Sequence, residues 1–155
     1  MKPTLYDSNS YYQGLIQNFY AGAKGCFSAF MHFFYQYNQA EAFYPNFVSC
    51  FKNLYNLEVE NCRILSQILI KMGGDNKYYS SSKKFVSGYG VDYAKNIAQI
   101  IYLDVEFLEC NIIEAKSIIS KIESVSIKKQ MMEVLENKKK ALKILKENSF
   151  KNNKI

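Results

Sequence analysis

With 155 residues, 48% of them hydrophobic, the chain can bury the core of one domain and is too apolar for a disordered segment. Two prolines and seven glycines, clustered, leave long uninterrupted stretches, which favours an all-α fold. The formal net charge of +6 is carried largely by lysines near the C-terminus, but no nucleic-acid motif accompanies them. They read as a solvated helix face with cations at a helix C-terminus, rather than as a nucleic-acid surface. No apolar run reaches about 18 residues, so no membrane span is expected. Cys26, Cys50, Cys62 and Cys110 form no C-x-x-C pair, and free thiols in a reducing, cytoplasmic setting are the expectation.

In chain order, residues 1–8 read as an extended lead-in, with Asp7-Ser8-Asn9-Ser10 able to cap a helix. The first helix is expected over about 10–38, with a seam of Ile16, Phe19, Ala23, Cys26, Phe30, Phe33 and Tyr37 in alternating four- and three-residue steps. Gly14, Gly22 and Gly25 inside it each cost about 1 kcal/mol relative to alanine. They suggest close packing against a partner helix or subunit. His32, the only histidine, lies off that seam and reads as structural.

A short turn over 38–44 leads to a second helix over about 45–72, with Pro45 in its first turn and Gly73-Gly74 closing it. Its seam is Phe47, Phe51, Leu54, Glu58, Asn61, Leu65, Ile68 and Met72, with a carboxylate and an amide at its centre. A buried carboxylate is costly unless it is paired or bound to a metal. The connection Gly73–Gly90 is polar and has 18 residues, enough to span up to about 59 Å when extended. That exceeds the roughly 40 Å length of the second helix, so it can cross the whole bundle.

A third helix is expected over about 92–120, with an apolar seam of Ala98, Ile101, Val105, Leu108, Ile112, Ala115, Ile119 and Ile122. Ser124 to Ser126 cap a fourth, over about 126–148, whose seam is Ile127, Met131, Val134, Lys138, Ala141 and Leu145. Short turn, long crossover, short turn is the connectivity of a ferritin-like four-helix bundle, spanning 1–155 as one domain.

The stretches Asn9-Ser10-Tyr11-Tyr12, Phe19-Tyr20-Ala21-Gly22, Met72-Gly73-Gly74-Asp75-Asn76-Lys77-Tyr78 and Val91-Asp92-Tyr93 are specific in order and spacing. In them the chain resembles the small rubrerythrin-related, ferritin-like proteins of low-GC Gram-positive bacteria. The resemblance runs from Asn9 to about Lys146. It implies homo-oligomers and a di-iron or di-manganese site at six positions of the central layer, held in that family by four glutamates and two histidines.

Here those positions carry Cys26, Glu58, Asn61, Leu108, Lys138 and Ala141, so one ligand of six remains. Glu60, Glu106 and Glu109 lie one or two residues off register, each step turning a side chain by about 100°. No metal is therefore expected. Lys138 is expected to pair with Glu58 in place of the metal, with Asn61 taking up spare hydrogen bonding and Leu108 and Ala141 filling volume. The alternative for Lys138 is that its long stem carries the charge out to solvent.

The expected function is that of a non-catalytic assembly or interaction protein, homo-oligomeric or bound to an active ferritin-like paralogue. The alternative is an oxidoreductase with a remodelled mononuclear iron or manganese site built from Glu58, Asn61 and Cys26, with or without His32 as a further ligand.

Overall fold

A computed structural model describes residues 5–88, 91, 93–94 and 96–152. The expected lead-in over 1–4, the Gly90 end of the connection and Asp92, the expected start of the third helix, lie outside the described residues. Five α-helices fill four bundle positions: α1 (Leu5–Ala21), α2 (Cys26–Phe43), α3 (Val48–Lys71), α4 (Ile97–Lys121) and α5 (Val125–Asn152).

The expected first helix is broken, and the glycines explain where. Gly22 donates to Asn18 O at 2.8 Å and Gly25 to Gly22 O at 2.9 Å, tightening the chain into a turn between α1 and α2. A Cβ at Gly22 would lie 2.4 Å from Asn18 O, and one at Gly25 would lie 2.8 Å from Phe19 O. These two glycines thus serve a turn within the chain, not an approach by a second helix. α1 and α2 still share one bundle position, because Ile16 and Phe19 of α1 and Cys26 of α2 belong to one buried cluster.

Other boundaries follow local chemistry. Asp7 to Ser10 lie inside α1 rather than ahead of it. α2 runs on to Phe43, so the turn is shorter than expected, and Pro45–Phe47 form a 3-10 turn before α3. At the end of α3, Gly73 has φ +74° and its N–H bonds Ile70 O, while Gly74 N–H bonds Leu69 O at 2.8 Å. That is a Schellman closure, which needs the left-handed conformation glycine adopts without strain. Asn96 caps α4 by accepting from Ala98 N and Gln99 N, which sets its start at Ile97. Ser124 Oγ accepts from Ile127 N at the head of α5.

Contacts across the bundle give its topology. Glu58 meets Lys138 and Lys71 meets Gln130, so α3 and α5 are antiparallel. His32 meets Asp104 and the Lys24 carbonyl meets Asn111, so α2 and α4 are antiparallel as well. α2 and α3, joined by the short turn, pack closely, as do α4 and α5. It follows that α3 and α4 run parallel, and the connection between them returns along the bundle. Its described part lies on α1: Gln17 donates to Tyr79 O at 2.6 Å and Tyr20 to Asn76 O at 2.8 Å.

Apolar residues fill the bundle in two buried clusters. One gathers α1 with Leu65 and Ile68 of α3, Ala115 of α4, and Met131 and Val134 of α5. The other gathers Phe33 of α2 with Phe51 and Leu54 of α3, Leu108 of α4, and Ala141 and Leu145 of α5. Between them lies a polar layer.

Glycine-to-alanine exchanges should differ in sign along the first bundle position. Gly22→Ala and Gly25→Ala force backbone atoms apart and should destabilise by about 1–3 kcal/mol. Gly14 sits within α1, and a Cβ there would meet only Ser81 Cβ, at an ordinary 3.8 Å. Gly14→Ala should therefore stabilise by up to about 1 kcal/mol. Urea unfolding followed by circular dichroism measures all three.

Candidate functional site

All six positions of the central layer are closed to solvent: Cys26, Glu58, Asn61, Leu108, Lys138 and Ala141 are each 0% exposed. The seams of α3 and α5 put Glu58 and Lys138 face to face. Lys138 Nζ donates to Glu58 Oε2 at 2.7 Å and to Asn111 Oδ1 of α4, also at 2.7 Å. Asn61, one turn beyond Glu58, donates to the same Oε2 at 3.2 Å and accepts from Asn137 Nδ2 at 3.0 Å. The ammonium also lies 5.7 Å from the centre of the Phe19 ring, within cation–π range. The lysine stem does not carry the charge to solvent.

Asn111 ties this layer to the glycine turn. Its Nδ2 donates to the Lys24 carbonyl at 3.1 Å. Lys24 lies in the break between α1 and α2, where that carbonyl points away from a helical ladder. An uninterrupted first helix would not present it in this way. Glu58 Oε1 accepts no hydrogen bond among the described residues, so the carboxylate is held through one oxygen.

Electrostatics favour the charged form of Lys138 and the neutral form of Cys26. Burial by itself depresses the Lys138 ammonium, but the Cys26 sulfur, the Glu58 carboxylate and the Glu58 hydrogen bond outweigh it and raise Lys138 above the ordinary 10.5. Cys26 can help only when ionised, and burial pushes its thiol up to about 12, against the pull of Lys138. At neutral pH, then, the charge on Lys138 is held by Glu58. Burial raises the Cys62 thiol as well. The layer offers neither an amine nucleophile nor a thiolate at neutral pH.

A di-metal centre does not fit these side chains. Glu58 is the only carboxylate in the six positions, and its Oε2 already takes an ammonium. Asn61 turns its amide nitrogen toward that carboxylate, and Leu108 and Ala141 carry no donor. Two divalent ions need several carboxylates and imidazoles to balance their charge, not a resident cation. The alternative set of Glu58, Asn61 and Cys26 meets the same ammonium and a protonated thiol. Among the described residues, no group of three or more His, Cys, Asp or Glu is placed to hold a metal ion.

His32 belongs to a second buried cluster, about 10 Å further along α2 and α4 at 1.5 Å per residue. Its Nε2 contacts Asp104 Oδ1, and Gln36 Nε2 donates to the same oxygen at 2.9 Å. Asp104 is 0% exposed, and an N–H at His32 Nε2 can serve it. The ring stacks on Phe107. His32 and Asn111 both reach the wall of a cavity of about 720 Å³ between α2, α4 and the connection, lined also by Tyr93 and Phe107. Glu58 and Lys138 do not line it.

Asn111 and Asp104 were not expected in the core. The α4 seam is Asp104, Leu108, Asn111, Ala115, Ile118 and Ile122, whereas Ala98 is exposed and Ile101, Val105 and Ile119 are half-buried. An apolar residue stands immediately after each polar seam position, and following hydrophobicity alone steps from Asp104 to Val105 and from Asn111 to Ile112. The signal was present: 104, 108, 111, 115, 118 and 122 keep the four-three rhythm that identified Glu58 and Asn61. The Ala23 step of the first helix likewise falls in the turn, and Ala23 is exposed. Of the cysteines, Cys26, Cys50 and Cys62 are buried, Cys110 is exposed, and all are free. No helix among the described residues is long and apolar enough to cross a membrane.

No family model, no curated protein and no solved structure matches this chain.

Removing one partner of the ion pair should cost far more than removing both. Lys138→Met strands the Glu58 carboxylate in the core and should destabilise by about 3–5 kcal/mol. The double variant Lys138→Met/Glu58→Gln should recover most of that, as seen in urea unfolding of the single and double variants. The pH dependence has a defined sign as well. An ammonium whose pKa is raised on folding stabilises fully below the unfolded value and loses that contribution as pH rises through the folded one. Alkaline unfolding, above the ordinary lysine value near 10.5, should therefore weaken the wild type but leave Lys138→Met/Glu58→Gln less affected.

Proposed function

We propose that the chain is a ferritin-like bundle that has lost di-iron and di-manganese binding and works as a non-catalytic assembly or interaction protein. In this reading it forms a homodimer or higher homo-oligomer, or associates with an active ferritin-like paralogue. The observation that carries the proposal is the Lys138 ammonium, fully buried and 2.7 Å from Glu58 at the centre of the bundle. It supplies internally the positive charge that a metal would otherwise bring. The parallel course of α3 and α4, with a long connection between them, agrees with the ferritin-like connectivity. The central layer holds its acid and its base in one closed pair, so neither is free to move a proton to a substrate.

Element analysis of untagged protein by inductively coupled plasma mass spectrometry tests this directly. After dialysis, iron and manganese should be far below one ion per chain, with or without either metal supplied during growth. Stoichiometric iron or manganese would overturn the proposal in favour of an oxidoreductase with a remodelled site.

A further inference from the structure

The helix that carries Cys26 and His32 inward carries almost no charge outward. Over its 18 residues, α2 has no lysine or arginine and only one carboxylate, Glu41. Its outer face is aromatic instead. Phe30 stacks on Phe34 at 6.0 Å, and Tyr55 of α3 meets Phe30, Phe34 and Tyr37 at 6.4, 5.5 and 5.4 Å. Phe27 extends the strip to Tyr78 at 4.3 Å. Phe34 is 45% exposed, Tyr78 is 56% and the adjoining Val59 is 46%. Contiguous apolar surface of this kind marks an interaction site.

Charge selects the occupant. α5 packs on α3 and α4 and lies diagonally across the bundle from α2. Outside the core it carries Lys128, Lys129, Lys139, Lys140, Lys143, Lys146 and Lys151 against Glu133, Glu136 and Glu147, seven cations to three anions. A second copy of a +6 chain is repelled from most of this surface. It can approach closely along α2, where no cation stands. Lys52 and Arg63 flank the strip on α3, Arg63 already paired with Glu60, and docking α2 on α2 keeps both α5 lysine faces on the far sides of the pair. An acidic partner would gain nothing from the strip and would dock on α5. Phe34 lies at the middle of α2, so a two-fold axis beside it sets the strip against its own copy in an antiparallel, self-complementary contact.

We propose that two copies of the chain pair through the outer face of α2 and the adjoining edge of α3, with Phe30, Phe34, Tyr55 and Val59 at the centre of the interface. This names the surface for the homo-oligomeric reading above and rests on it. The lone carboxylate Glu41 lies near one end of the helix, at the rim rather than the centre of the contact.

Sedimentation velocity and light scattering at roughly 50 µM, where dimers of micromolar affinity are populated, provide the test. The wild type should be dimeric. Phe34→Glu and Val59→Glu, both at exposed positions that the fold does not need filled, should weaken the dimer by at least about tenfold. Phe150→Glu on α5, where Phe150 is 73% exposed, should leave it intact. Circular dichroism of each variant establishes that the bundle has folded. A monomeric wild type overturns the proposal, as does a dimer indifferent to both Phe34→Glu and Val59→Glu. Binding of monomer to phosphatidylcholine vesicles, lost in Phe34→Glu, would overturn it too, by assigning the strip to lipid. Metal content separates this interface from the loss of the metal site: a metal-free dimer indifferent to the substitutions sinks only the interface, a metal-free monomer sinks the homo-oligomeric reading with it, and a metal-loaded dimer sinks only the loss.

Discussion

The ion pair between Lys138 and Glu58 is the interaction that the rest of the core accommodates. Both side chains are wholly buried, and taking such charges out of water costs several kcal/mol each before their attraction offsets it. Everything around them limits that cost. Asn111 takes a second proton of the ammonium, Asn61 adds a donor to the carboxylate, and Phe19 sets a ring face near the cation. Asn111 can do this only while its own amide nitrogen is satisfied, and its acceptor is the Lys24 carbonyl. The turn at Gly22–Gly25 is therefore part of the electrostatics. By breaking the first helix, it releases a backbone carbonyl to complete a chain of hydrogen bonds that ends on a buried charge.

How much of this could be read from the amino acids varied with how each seam was disguised. On α5 Lys138 stands between Asn137 and Lys139 with no apolar neighbour in competition, and on α3 Glu58, though flanked by Leu57 and Val59, falls on the period set by Phe51, Leu54, Leu65 and Ile68, so the period locates both. On α4 each polar seam residue is followed by an isoleucine or valine, and hydrophobicity draws the eye one residue off the true face. The all-helical bundle was legible because Gly, Pro and capping residues fall at the ends of long periodic segments. The break in the first helix was half legible. Three glycines signalled a local cost, but whether a glycine serves a neighbouring helix or its own chain depends on where Asn18 O and Phe19 O lie.

The His32, Gln36 and Asp104 cluster extends the same logic along the bundle. It sets a carboxylate of α4 against side chains of α2, as the central layer sets the Asn111 amide of α4 against the Lys24 carbonyl, and it too lies inside. The first bundle position and α4 thus meet through polar contacts at two levels, Lys24 of the turn with Asn111 and His32 of α2 with Asp104, whereas α2 and α3 meet through aromatic packing. A helix pair joined by directional hydrogen bonds is fixed in rotation as well as in distance. That matters for α2, whose two faces differ so strongly.

Stability alone does not explain why a bundle would keep two charges in its core, since well-packed apolar residues there are often as stable or more so. Register does. Without the pair, α3 and α5 would face each other through seams of nearly uniform apolar residues: Phe51, Leu54, Leu65 and Ile68 on one, Met131, Val134 and Leu145 on the other. Sliding one helix by a heptad would then exchange one apolar contact for another at small cost. With the pair in place, the same slip sets Glu58 against Met131 or Leu145 and leaves two unpaired charges in a dry core. The penalty falls on the misaligned states and not on the native one, so the pair selects an alignment even where it adds little net stability. In this bundle, a single lysine and a single glutamate at the centre of their helices are enough to set the alignment of α3 and α5.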